Sequence, residues 1–150
     1  MNDRLFNSAF EMELRLLLLL SSERGTMTLE RLISLDFIIC YAEKFQLPYV
    51  SLHGKNDYMY GEIASRRMLA RVAVKDMVTS GMVDISVDND YFYKINVAGR
   101  KYSRLLQNEY AKQYRKIAAE AIRLFKKYSD DELSHMIQRD GVKALQEGGQ

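Results

Sequence analysis

Residues 81–97 read GMVDISVDNDYFYKINV, and the reading of this stretch decides the fold. Val83, Ile85 and Val87 alternate with Asp84 and Ser86; Tyr91, Tyr93, Ile95 and Val97 alternate with Lys94 and Asn96. Between the two runs stands Asp88-Asn89-Asp90, three turn-forming residues, so the period of two on either side predicts a β-hairpin. Upstream, three stretches read with the helical period instead. Three helices that feed a hairpin, the third running straight into the first strand, are what a winged-helix domain requires.

Working back from the hairpin, Gly81 supplies the positive φ that ends a third helix of about residues 61–80. A loop over 43–60 precedes it, with Pro48, Gly54 and Asn56-Asp57 breaking any periodicity and Phe45, Tyr49, Tyr58 and Tyr60 as anchors. Thr28 caps a second helix of about 29–42, whose core side carries Leu32, Leu35, Phe37, Ile39 and Cys40; Glu30, Arg31 and Asp36 mark its wetter side. Ser8 caps a first helix of about 9–21, with Phe10, Leu14, Leu17, Leu18 and Leu20 as a broad apolar side, and Gly25 is placed to close it with a positive φ.

Beyond the hairpin, residues 98–128 read as one long helix or as two joined near Asn108. Tyr110, Tyr114, Ile117, Ala121, Leu124 and Tyr128 recur at intervals of four and three, the spacing of a narrow seam against another helix, either within the same domain or on a partner. Ser129 with Glu132 forms a capping box for a last helix of about 130–139, and Gly148-Gly149-Gln150 is expected to fray. The expected organisation is a winged-helix domain over 1–97 and a C-terminal helical extension over 98–150, mainly α with one hairpin.

The chain has 150 residues, 47% of them hydrophobic and 28% charged, which excludes disorder and leaves room for one domain with an extension. Its longest apolar run, Leu16–Leu20, is far too short to span a bilayer, and Met1-Asn2-Asp3-Arg4 resembles no export signal, so a cytoplasmic location is expected. One cysteine, Cys40, offers no internal disulfide and reads as a small buried hydrophobe. The net charge of +2 hides a segregation: residues 61–128 hold 14 basic against 7 acidic side chains, whereas both flanks are acidic.

Few residues suggest reaction chemistry. His53 and His135 stand far apart with one cysteine, too little for a zinc site, and no glycine-rich phosphate cradle occurs. Asp130-Asp131-Glu132 fits the first turn of a helix better than a metal pair. No cofactor, metal or catalytic residue is expected, with His53 the one acid or base to test. The positive signal is a stripe: Arg67, Arg71 and Lys75 lie at successive helical turns with Arg66 beside them, and Lys94 stands on the wing. Such a face suits DNA backbone or an acidic partner. Its neighbours Met68, Leu69, Ala70, Val72 and Val74 lack the amides and hydroxyls that read base edges.

In their order and spacing, Phe6-Asn7-Ser8, Phe10-Glu11, Leu32, Leu35-Asp36-Phe37, Ser51-Leu52-His53, Gly61-Glu62, Arg66-Arg67 and Ser80-Gly81-Met82-Val83 resemble the middle component of ABC-three-component systems, the winged-helix small subunit also found in Lamassu-type defence operons. The resemblance runs from about Phe6 to about Val97, departs at Ala9 and Gly54, where proline is expected, and finds no motif beyond 98. It implies a non-catalytic adaptor that bridges an SMC or Rad50-like ATPase and an effector, often a nuclease, against phage or plasmid DNA. DNA would be met through the complex and no membrane is involved. The alternative from the residues alone is a winged-helix transcription regulator.

Overall fold

The computed structural model describes residues 8–53 and 59–148, with side chains described as far as Gly141. Phe6, Asn7, Gly54, Asn56, Asp57, Tyr58, Gly149 and Gln150, each named above, lie outside the described residues. The fold is mainly α with a three-stranded antiparallel sheet: α1 (Ala9–Ser21), β1 (Met27–Thr28), α2 (Leu29–Cys40), α3 (Ile63–Thr79), β2 (Val83–Val87), β3 (Tyr91–Ile95), α4 (Val97–Arg104), α5 (Glu109–Leu124) and α6 (Asp130–Gly148). Up to β3 the order is winged-helix-like, as the hairpin demands.

The sheet contains one strand that periodicity does not announce. β1 is two residues long, and it pairs through Met27 with Tyr93 and through Thr28 with Phe92, giving the strand order β1-β3-β2. Two residues show no alternation. The hairpin register is Val83↔Ile95, Ile85↔Tyr93 and Val87↔Tyr91, and Asn89 takes φ 62° in the turn, where the Asp88 N–H donates to the Asp90 carbonyl at 2.9 Å.

α1 is the central helix. It packs against α2, α3, α4 and α5, which is why Arg15 through Leu20 are buried in unbroken succession. Phe10, expected on its core side, is instead 60% exposed. The Ser8 cap forms as expected, accepting from the Glu11 N–H at 3.1 Å. The other end closes differently from the expectation at Gly25: Gly81, at φ 79°, is the one positive-φ glycine among the described residues. Instead, the Ser21 and Ser22 hydroxyls donate to the Leu18 carbonyl at 2.7 and 2.9 Å, and Arg100 donates to the carbonyls of Ser21 and Glu23, each at 3.3 Å. Hydroxyls and a guanidinium thus satisfy the helix end.

Two short 3-10 turns, Ala42–Phe45 and Met59–Glu62, stand at the two ends of the expected loop over 43–60, and Phe45 and Met59 are buried in the core. After the wing, the chain bends between α4 and α5, where the Asn108 side chain accepts from the Ala111 N–H at 2.8 Å to cap α5. Arg115 ties the bend by donating to the carbonyls of Ser103 and Leu106. The expected Ser129–Glu132 capping box opens α6, with its two hydrogen bonds at 2.9 and 3.1 Å, and α6 continues well past residue 139. Arg31 anchors that junction through Asp130 and the carbonyls of Phe125 and Tyr128.

One hydrophobic core runs through both expected parts of the chain. Ala111, Tyr114, Ile117, Ala118 and Ala121 of α5 and Leu133 and Ile137 of α6 join the residues of α1–α3 and the wing base. The expected seam therefore faces its own domain: Tyr114, Ile117 and Ala121 are buried, Tyr110 is half-buried, and Leu124 and Tyr128 at the far end are exposed. Among the described residues, no helix is long and apolar enough to cross a membrane.

Gly99 shows how closely the wing base is packed. A Cβ there would overlap the Met82 carbonyl oxygen and come within 2.7 Å of Ile95 Cγ1. Gly99→Ala is expected to lower stability by at least about 2 kcal/mol in urea denaturation, because the backbone on one side cannot yield. A loss under about 0.5 kcal/mol would contradict this packing.

Candidate functional site

Three charged side chains meet in the interior. Arg15 on α1 donates to Asp36 on α2 through Nε at 3.0 Å and Nη2 at 3.2 Å, and Arg66 on α3 donates to the same carboxylate through Nη1 at 3.1 Å. Tyr114 of α5 completes the cage, its hydroxyl donating to Asp36 Oδ1 at 2.7 Å. Arg15, Asp36 and Arg66 are each no more than 1% exposed, so two cations share one anion out of water. The Arg66 guanidinium also sits 5.7 Å from the Phe37 ring centroid and 5.4 Å from that of Tyr41, where the aromatic faces offset part of the excess positive charge.

His53 closes the cluster. Arg66 Nη2 lies 3.1 Å from His53 Nδ1, and His53 Nε2 lies 2.8 Å from the Tyr110 hydroxyl. Because a guanidinium only donates, Nδ1 is the acceptor and the ring proton is on Nε2. Burial, then the charges of Arg15 and Arg66, lower the His53 pKa to about 3, so the ring is neutral. Burial alone would raise the Asp36 carboxyl; Arg15 and Arg66 overcome it and hold the group at about 2. Burial pushes the Cys40 thiol up to about 11, which leaves it a thiol at neutral pH.

These placements correct two sequence expectations. Asp36 is not on the wet side of α2 but at the centre of the core, and Arg66, expected to contact nucleic acid or an acidic partner, faces inward. The signal for Asp36 was its position among Leu35, Phe37, Ile38 and Ile39, opposite an Arg15 that precedes five leucines. A charge inside so apolar a run requires a buried partner.

The rest of the stripe divides. Arg67 turns toward α2 and pairs with Glu30, while Arg71 and Lys75 point outward and make no ion pair among the described residues. Lys94 is exposed on β3, directly across from Asp84. Met68 and Val72, a turn apart on the outer side of α3, are 69% and 48% exposed. The wing adds an apolar surface that sequence reasoning did not single out. Val83, Ile85, Val87, Tyr91, Tyr93 and Ile95 share one face by register. That face is covered at the base and bare toward the tip, where Ile85, Val87 and Tyr91 are 43%, 70% and 56% exposed.

Comparison with known families places this architecture. The model of the ABC-three component (ABC-3C) system Middle Component 2 matches residues 5–147, so the match takes in the C-terminal helices as well as the winged part. No curated protein and no solved structure matches the chain.

Both downward shifts in the cluster make acid destabilising, because the unfolded chain takes up these protons before the folded chain does. His53 contributes stability that is full above its unfolded pKa of about 6.5 and falls away below it. Asp36 adds a second loss below about pH 4. Urea denaturation is expected to lose up to about 1.5 kcal/mol on going from about pH 6.5 to about pH 5, and His53→Gln to flatten that slope. A His53→Gln profile with the wild-type slope would contradict the assignment.

Proposed function

The chain belongs to the ABC-three component system Middle Component 2 family, and on that premise we propose that it is a non-catalytic adaptor that joins an SMC or Rad50-like ATPase to an effector in prokaryotic defence against phage or plasmid DNA, as in Lamassu-type operons. The observation that carries the reading is the bare apolar tip of the wing. Ile85, Val87 and Tyr91 continue the hairpin's inner face beyond the body of the protein, and an unshared apolar surface of this kind is stabilised by a partner.

The polar groups that could otherwise react support the same reading. His53 is neutral and bonded on both ring nitrogens, and Cys40 is a buried thiol, so both belong to the packing of the core. The alternative, a winged-helix regulator that reads promoter sequence, is less well supported. With Arg66 inward and Arg67 on Glu30, α3 presents Arg71 and Lys75 beside the exposed Met68 and Val72, and offers no amide for a base edge.

Co-expression of the tagged chain with the genes beside it is expected to recover a stoichiometric complex with the ATPase. Val87→Glu with Tyr91→Glu is expected to reduce that recovery by tenfold or more, since about 1.4 kcal/mol of lost burial is already tenfold. Recovery of the wild-type chain alone and monodisperse would overturn the adaptor reading, and tight binding to its own promoter against competitor DNA would replace it with the regulator.

A further inference from the structure

The bend between α4 and α5 encloses a groove of about 640 Å³ against the end of α1. Arg100, Arg104, Lys112, Arg115 and Lys116 line it, against a single acid, Glu109. Two of the five cations are committed to structure: Arg100 to the carbonyls of Ser21 and Glu23 where α1 ends, and Arg115 to those of Ser103 and Leu106 where α4 ends. They hold the groove open in one shape. The other three, Arg104, Lys112 and Lys116, are exposed and make no ion pair among the described residues, and Glu109 is occupied by the Gln113 amide at 3.0 Å. Lys112 and Lys116 stand one turn apart on α5, about 6 Å along its axis, so they point the same way.

We propose that this groove binds the phosphate backbone of duplex nucleic acid without regard to sequence. Its chemistry separates that ligand from its competitors. Every lining residue is a serine, glutamine, glutamate, lysine or arginine, so the groove has no aliphatic or aromatic anchor of the kind protein interfaces are built around. It equally has no ring on which an unpaired base could stack, which disfavours a single strand. Unpaired cations on a concave wall are the groups that contact phosphate, and they position a duplex without reading it. The proposal stands on this lining alone and is independent of the adaptor reading; it separates a polar surface at α4–α5 from the apolar one on the wing.

The test is fluorescence polarisation of a labelled duplex of about 20 base pairs, a length many phosphates longer than the groove needs, with the full chain at about 50 mM and about 200 mM salt. Wild type is expected to bind duplexes of unrelated sequence alike, and about fortyfold or more weaker at the higher salt, the loss that three phosphate contacts give over a fourfold change in salt. Arg104→Glu/Lys112→Glu/Lys116→Glu is expected to lose at least about tenfold at low salt and to lower the salt slope by about 3, while Arg71→Glu/Lys75→Glu changes affinity less than about threefold. If the charge-reversed chain melts early, Lys112→Ala/Lys116→Ala replaces it, since both side chains are exposed. Undiminished binding by the folded groove variants, absence of duplex binding at low salt, or tighter binding of oligo-dT would overturn the proposal. So would displacement of the duplex by polyglutamate at equal charge, which would make the groove a seat for an acidic protein segment.

Discussion

Asp36 is the group on which the rest of the structure depends. One carboxylate receives Arg15 from α1, Arg66 from α3 and the Tyr114 hydroxyl from α5, so four helices, its own included, converge on two oxygen atoms. Moving such charges out of water costs several kcal/mol per ion, and only close geometry with further hydrogen bonds recovers it. The cluster supplies most of those bonds, Arg66 Nε being left without a partner among the described residues, and the rings of Phe37 and Tyr41 lie against the surplus cation. An apolar core could hold four helices as well, but it would accept many registers. A forked guanidinium on each of two helices accepts few.

The cluster also decides what is left for the outside. By taking Arg66, the interior removes one cation from the basic face that the α3 sequence displays, while Arg67 pairs with Glu30 at a partly exposed edge of that face. The outward chemistry then separates into two kinds of surface, an apolar wing tip and a wholly polar basic groove at the α4–α5 bend. Surfaces of different character suit different partners. The match to the middle-component family over 5–147 agrees with a chain in which the C-terminal helices are part of the same body.

Much of this was legible in the sequence, for physical reasons that differ from element to element. The hairpin showed itself because both strands alternate around a turn with Asn89 in the left-handed region. The caps at Ser8, Thr28 and Ser129 showed themselves because each is a short polar side chain just before a periodic run, whereas Asn108 read only as a joint between two helices. β1 escaped because two residues carry no period. Gly25 misled because Arg100, far along the chain, closes α1 instead. The basic stripe misled at Arg66 for the same kind of reason: helical spacing places it beside an outward face, but only its partner Asp36 determines that it turns inward. Long-range polar pairing is the information that local periodicity lacks.

The central claim is that a single buried carboxylate organises the helices, and it is tested most directly by comparing the unfolding free energies of Asp36→Ala and of the triple replacement Asp36→Leu/Arg15→Met/Arg66→Met. The account predicts that Asp36→Ala loses about 3–5 kcal/mol, because two cations stay buried without an anion, and that the triple replacement recovers most of the loss. A loss within about 1 kcal/mol for Asp36→Ala would contradict it.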